Sequence, residues 1–131
     1  MSVKDTKQVM VMRTKFFDDE GNQISPRKGK YIAQACHASI SFLTKRLESK
    51  QELTTAMKEW MEESFAKICL QVDTEEDLLN VYEKAKQANL EVHLSTDSGR
   101  TEFKKPAITC LAIGPDYVEN IDPVTKDLKL F

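Results

Sequence analysis

Gly29-Lys30-Tyr31-Ile32-Ala33-Gln34-Ala35-Cys36-His37-Ala38-Ser39-Ile40-Ser41 carries two periodicities at once. Lys30, Gln34, His37 and Ser41 recur at i, i+4, i+7 and i+11, which places them on one face of a helix. Ile32, Cys36, Ile40, Leu43 and Leu47 recur at similar spacing on a second face, the pattern by which a helix docks on a core. The expectation is a helix running to Glu48 or Ser49, held by its apolar face and offering its polar one. Small residues, Ala33, Ala35, Ala38 and Ser39, border the polar stripe and admit a close neighbour. Lys30 stands in the first turn, after Ser25-Pro26 and Gly29, where free N–H groups and the positive end of the dipole favour acids over cations. A bound anion, or negative charge that develops during a reaction, accounts for a cation there. A lysine that simply reaches out to water accounts for it equally.

With 131 residues, 40% of them hydrophobic, residues 1–131 are expected to form one domain with a real core. The first five residues are polar and charged and the apolar runs are short. Neither a signal peptide nor a membrane span is expected, and the expected location is cytoplasmic. Cys36, Cys69 and Cys110 are odd in number, far apart and outside any Cys-x-x-Cys spacing, which argues against a disulfide framework and a zinc site. They read as buried free thiols. Cys36 and His37, adjacent on a helix, point about 100° apart and make a poor nucleophile–base pair.

A net charge of −2 does not announce a nucleic-acid binder, but the charge is uneven along the chain. No acid occurs from residue 21 to residue 47, where Arg27, Lys28, Lys30, Lys45 and Arg46 are all basic. Arg100, Lys104 and Lys105 form a second basic group, whereas acids crowd residues 48–63 and 73–83. Such polarity steers a polyanion to one face.

The remaining chain alternates strand and helix signals. Residues 8–14 read as a buried strand, followed by a loop over 15–23 that turns at Gly21-Asn22. Leu53, Met57, Trp60 and Met61 mark a second amphipathic helix, and Ala66, Ile68, Leu70 and Val72 a strand. Thr74-Glu75-Glu76-Asp77 forms a capping box that opens a third helix ending near Asn89. Leu90, Val92 and Leu94 alternate with Glu91, His93 and Ser95, as in a strand with one wet face that leaves His93 exposed. Asp97-Ser98-Gly99 supplies a turn, and residues 107–113 a buried strand broken by Gly114-Pro115. A short helical turn over 116–120 and a tail to Phe131 complete the chain. The pattern predicts an α/β sandwich around a small sheet, with the polar helix start where α/β proteins place their sites.

Four stretches then match one family in order: Gly29-Lys30-x-x-Ala33-Gln34-x-x-His37-Ala38, Lys67-Ile68-x-Leu70, Asp97-x-Gly99-x-Thr101, and Thr109-Cys110-Leu111-Ala112-Ile113-Gly114-Pro115. With the closing Val124-Thr125-x-x-Leu128-Lys129-Leu130, the chain resembles the archaeal/eukaryotic-type (second) family of peptidyl-tRNA hydrolases over nearly its whole length. The resemblance implies a small mixed four-stranded sheet sandwiched between helices on both faces. It also implies hydrolysis of the ester joining a peptide to the 3′ ribose of tRNA, without a metal or cofactor.

By position, the family's site residues are Lys30, Gln34, His37, Asp97, Thr101 and Thr109. The expected roles are oxyanion or phosphate binding for Lys30, and water orientation or proton acceptance for Asp97. Thr101 and Thr109 hold water or substrate, Gln34 supports them, and His37 is the alternative base. Structural roles compete with these: Asp97 capping its own turn, and Thr109 satisfying a backbone carbonyl. Arg27, Lys28, Arg100, Lys104 and Lys105 are the candidates for gripping the tRNA acceptor end by shape rather than sequence. The implied partner is peptidyl-tRNA, with no membrane, and a homodimer is compatible with it. Against the family pattern, the connection over 15–28 is longer and more acidic, and Ile32 and Ser98 stand where alanine is common. The competing readings are a non-catalytic RNA-binding module of the same fold, which binds tRNA but releases no peptide, and a small protein-interaction domain.

Overall fold

Val9 and Val11 alternate with Met10 and Met12 along strand β1 (Thr6–Arg13), and all four are buried, so both faces of this strand are covered. The computed structural model describes residues 4–99, 103 and 105–131. After β1 come β2 (Phe16–Phe17), β3 (Gln23–Ile24), α1 (Lys28–Ser49), α2 (Thr55–Glu62), β4 (Lys67–Val72), α3 (Glu75–Gln87), β5 (Val92–Asp97), β6 (Ala107–Tyr117), α4 (Val118–Thr125) and β7 (Lys129–Leu130). The main sheet has the order β5-β6-β1-β4-β7, with β1 and β4 parallel and the other pairs antiparallel. Helices lie on both faces of this mixed sheet, as expected. None of the described helices is long and apolar enough to cross a membrane.

The expected tail and loop are more ordered than their sequences suggest. Lys129–Leu130 forms the fifth strand on the edge of β4, where the Phe131 N–H donates to the Cys69 carbonyl and the Gln71 amide to that of Leu130. Residues 16–24 form a separate hairpin, β2–β3. Strands of two residues are too short to show any periodicity. Strand β6 runs through the Gly114–Pro115 pair expected to break it, and the helical turn expected over 116–120 is the longer α4. The Thr74 capping box forms as read: its hydroxyl accepts from the Asp77 N–H at 3.1 Å.

One sheet face is apolar. Val9, Val11, Leu70, Val72, Leu111 and Ile113 pack there with Leu78, Val81 and Ala85 of α3 and Ile121 of α4. On the other face Met10, Met12, Cys110 and Ala112 meet Ala38 of α1, while Phe42, Met57 and Trp60 join α1 to α2.

Helix α1 docks on a face rotated from the expected one: Leu43 of the apolar stripe packs on the α1–α2 cluster and His37 stays exposed, but most of the other expected positions change sides. Its buried residues are Gln34, Ala38 and Phe42, with Tyr31 and Ala35 packed alongside. Ile32 and Leu47, expected inside, are 65% and 70% exposed, and Ile40 and Cys36 also face solvent. Close approach explains the choice: alanines meet a sheet surface of Met, Cys and Ala, and inward polar groups find partners. Gln8, fully buried in β1, donates from its amide to the Ser39 carbonyl at 2.8 Å and accepts from the Ser39 hydroxyl at 2.6 Å. With such bonds made, burying a polar helix face is not penalised.

Candidate active site

Strand β5 and the residue preceding it present Glu91, His93, Ser95 and Asp97 on one side. That side was expected to be wet, but α1 covers it antiparallel, with polar links from Asp97, Ser95 and Glu91. Lys30 Nζ lies 2.7 Å from Asp97 Oδ1, the Ser95 hydroxyl donates to Gln34 Oε1 at 3.0 Å, and Arg46 Nη2 donates to Glu91 Oε1 at 2.8 Å. Lys30 to Arg46 spans about 24 Å of helix and Glu91 to Asp97 about 20 Å of strand, so the links run in register. His93, expected to be exposed, is half-buried and hydrogen-bonds Glu91. That bond, more than the Arg46 guanidinium, pulls the Glu91 carboxyl down to about 2 against the opposing effect of burial.

The Lys30–Asp97 end holds the residues expected to react. Helix α1 has no capping side chain at Arg27 and no acid in its first turn, whereas α3 has both. The carboxylate at the start of α1 comes instead from the far end of β5. The Lys30 and Asp97 side chains are only 14% and 4% exposed. Breaking such a pair by removing one charge leaves the other buried and uncompensated. Asp97 is aimed by its turn: Oδ2 accepts the Gly99 N–H at 2.9 Å. Gly99 has φ +85°, and a Cβ there would lie 2.4 Å from the carbonyl carbon of Lys105, so only glycine fits. Lys30 Nζ also stands 5.9 Å from the centroid of the Phe103 ring.

A β-bulge brings Thr109 to the same face. Ser95 pairs with Cys110, but Thr96 pairs with Ile108, so Thr109 is the extra residue. Two consecutive residues therefore face α1: the Thr109 hydroxyl donates to Gln34 Oε1 at 2.8 Å and the Cys110 thiol to the Gln34 carbonyl at 3.3 Å. Ser95 and Thr109 together occupy the acceptor oxygen of the Gln34 side chain, which fixes the amide and leaves its NH2 as the donor end. Burial pushes the Cys110 thiol up to about 11, so it stays protonated and serves packing, not nucleophilic attack.

The structure thus brings together Lys30, Gln34, Asp97 and Thr109. His37 is exposed on α1, and Arg27 and Lys28 are exposed at the helix start. Lys105 is exposed and reaches Asp19 of the hairpin. Thr101, Arg100 and Lys104 lie outside the described residues. Cys36, expected to be a buried thiol, is exposed on the outer side of α1, and Cys69 is half-buried. Sequence reasoning missed Ser95, although the alternation of polar residues at 91, 93, 95 and 97 was its signal.

The family described as peptidyl-tRNA hydrolase PTH2 matches residues 6–131. The chain is 37% identical over 124 residues to the peptidyl-tRNA hydrolase of Methanothermobacter thermautotrophicus, covering 95% of this chain and 98% of that protein. It is 39% identical over 126 residues to the peptidyl-tRNA hydrolase of Sulfurisphaera tokodaii, with 95% and 98% covered. A probable peptidyl-tRNA hydrolase 2 of Dictyostelium discoideum is 36% identical over 129 residues; the match covers 98% of this chain but 56% of that longer protein.

Proposed function

The chain belongs to the peptidyl-tRNA hydrolase PTH2 family, and we propose that this hydrolase cleaves the ester between peptide and tRNA beside the Lys30–Asp97 pair. The observation that carries the reading is that pair itself: an ammonium and a carboxylate 67 positions apart, 2.7 Å from each other, at the mouth of the α1–β5 seam. Ester hydrolysis needs donors where the carbonyl oxygen becomes an oxyanion and a group that orients water. Lys30 carries three N–H donors, of which Asp97 engages one; the others serve the developing oxyanion. Asp97, an acceptor-only carboxylate, orients the attacking water. The Gln34 amide, held by Ser95 and Thr109, donates to substrate, and Thr101 completes the grip on water or substrate. His37, exposed, contacts the incoming substrate, while Asp97 takes the proton of the attacking water and returns it to the departing ribose oxygen.

Arg27, Lys28, Arg100, Lys104 and Lys105 grip phosphates of the acceptor end. All these groups come from one chain, so a homodimer would leave the chemistry intact. A substrate made by translation supports a cytoplasmic location.

Following ester loss from N-blocked aminoacyl-tRNA tests this directly. Lys30→Met and Asp97→Asn should each lower kcat by about 10²- to 10³-fold, the loss typical of one oxyanion donor. A near-normal rate in both variants overturns the assignment.

A further inference from the structure

The longer connection after β1 builds something of its own. In the β2–β3 hairpin Phe16 pairs with Ile24 and Phe17 with Gln23, and Asp18 Oδ1 closes the turn by accepting the Glu20 and Asn22 N–H groups. Beneath the hairpin is a cavity of about 230 Å³ whose walls include Arg13, Phe16, Phe17, Glu75, Phe103 and Lys105. Its floor is a ring pair, with the Phe16 and Phe103 centroids 4.6 Å apart. The Arg13 guanidinium lies 4.3 Å from the Phe16 ring, held there by bonds to the Lys15 and Ile108 carbonyls. Phe17 is 48% exposed at the wall. Lys105 contacts Asp19 and ties the hairpin down. Phe103 is shared, since Lys30 Nζ stands 5.9 Å from its ring. The cavity and the reactive pair therefore flank one side chain.

Resting on the assignment of the reaction to Lys30 and Asp97, we propose that this cavity receives the terminal adenine of the tRNA acceptor end. Its volume is below the roughly 300–1,000 Å³ of pockets for drug-sized ligands, which suits a single base. Phe16 and Phe103, 2% and 6% exposed, stack on each other as the floor, and Phe17, 48% exposed at the wall, is the ring an unpaired base can stack on. Glu75 accepts hydrogen bonds but does not donate them when ionised, so it selects a base bearing an exocyclic amino group over one bearing a keto oxygen there. Lys105 adds positive charge for the adjoining phosphate. One ring, Phe103, separates the base site from the ester site, as one ribose separates base from ester in the substrate.

The experiment compares N-blocked aminoacyl-tRNA ending in adenosine with the same substrate ending in inosine, whose base has a keto oxygen in place of the amino group. Wild type should prefer the adenosine substrate by about tenfold or more in kcat/KM. Phe17→Ala should raise KM about tenfold with kcat within twofold, the loss of one stacking partner. Glu75→Gln, whose amide both accepts and donates, should lose the preference between the two substrates. Phe17 and Glu75 are exposed, so both variants should keep the wild-type Tm; if one does not fold, the other decides. Equal use of both substrates by wild type, or an unchanged KM in folded Phe17→Ala, overturns the base site and leaves the Lys30–Asp97 assignment standing. Full activity in both Lys30→Met and Asp97→Asn removes that assignment and this inference with it.

Discussion

Under α3 the sheet presents Val9 and Val11 of β1 and Leu111 and Ile113 of β6. One residue along in the same strands, under α1, it presents Gln8, Met10, Cys110 and Ala112, and from β5 Ser95 and Asp97. Both faces are buried. The first is held by apolar area, at roughly 25 cal/mol per Å² removed from water. The second replaces much of that with specific bonds, each contributing about 1 kcal/mol net but costly to leave half-made. A face built this way holds an ammonium, a carboxylate, an amide and a hydroxyl at set distances, which is what preorganised chemistry requires. On the proposed reading, the α3 side of the sheet serves mainly stability and the α1 side also carries the reaction.

The largest test of that division is Leu111→Ala, which opens a cavity on the apolar side. It should cost about 2–5 kcal/mol and lower Tm by roughly 10 °C or more in thermal unfolding followed by circular dichroism. At a temperature where the variant is folded, kcat should stay near wild type. A large fall in kcat with Tm unchanged would reverse the roles of the two faces.

Thr109→Val probes the other side with almost no change in volume. It removes one of the two donors on the Gln34 oxygen, costing about 1–2 kcal/mol of stability. By loosening the amide it should lower kcat by about ten- to a hundredfold. If Tm falls but the rate holds, Thr109 serves the bulge and not the reaction.

Why Thr109 needed a structure to explain it follows from the register. Its place in the family motif was legible, but a hydroxyl between Ile108 and Cys110 reads as an outlier in an apolar strand. Only the shift between the Ser95–Cys110 and Thr96–Ile108 pairs turns it toward α1. The capping box at Thr74, the extent of α1 and the alternation along β5 were legible because each rests on neighbours in sequence. The inside of α1 was not. Periodicity separates a helix into faces, but which face is buried depends on what the sheet offers, and here Gln8, Ser95 and Thr109 satisfy the polar one. The β2–β3 hairpin, two residues per strand, left no period to read.

The seam between α1 and β5 should also respond to acid at its far end. Glu91 is held at about 2 by His93 and then Arg46, below the ordinary carboxylate value of 4.5. A depressed folded-state value stabilises the fold above about pH 4.5, and that stability is lost as pH falls from about 4.5 toward 2. Because the group is partly exposed, solvent screening keeps the effect modest. In urea titrations across this range, Glu91→Gln should lose less stability on acidification than wild type. Parallel curves for the two proteins would remove Glu91 from the pinning of α1.

The smallest expected effect makes the sharpest contrast between the two sides of α1 itself. Leu47 belongs to the apolar stripe that periodicity assigns to the core, yet it is 70% exposed in the last turn. Leucine and lysine have similar helix propensities, and a cation in the last turn meets the negative end of the dipole. Leu47→Lys should therefore change stability by no more than about 0.5 kcal/mol, with any shift toward stabilisation. Were the stripe docked on the core, the same substitution would bury an unpaired ammonium and cost several kcal/mol. The two outcomes differ enough for a single pair of denaturation curves to decide which side of α1 faces the sheet.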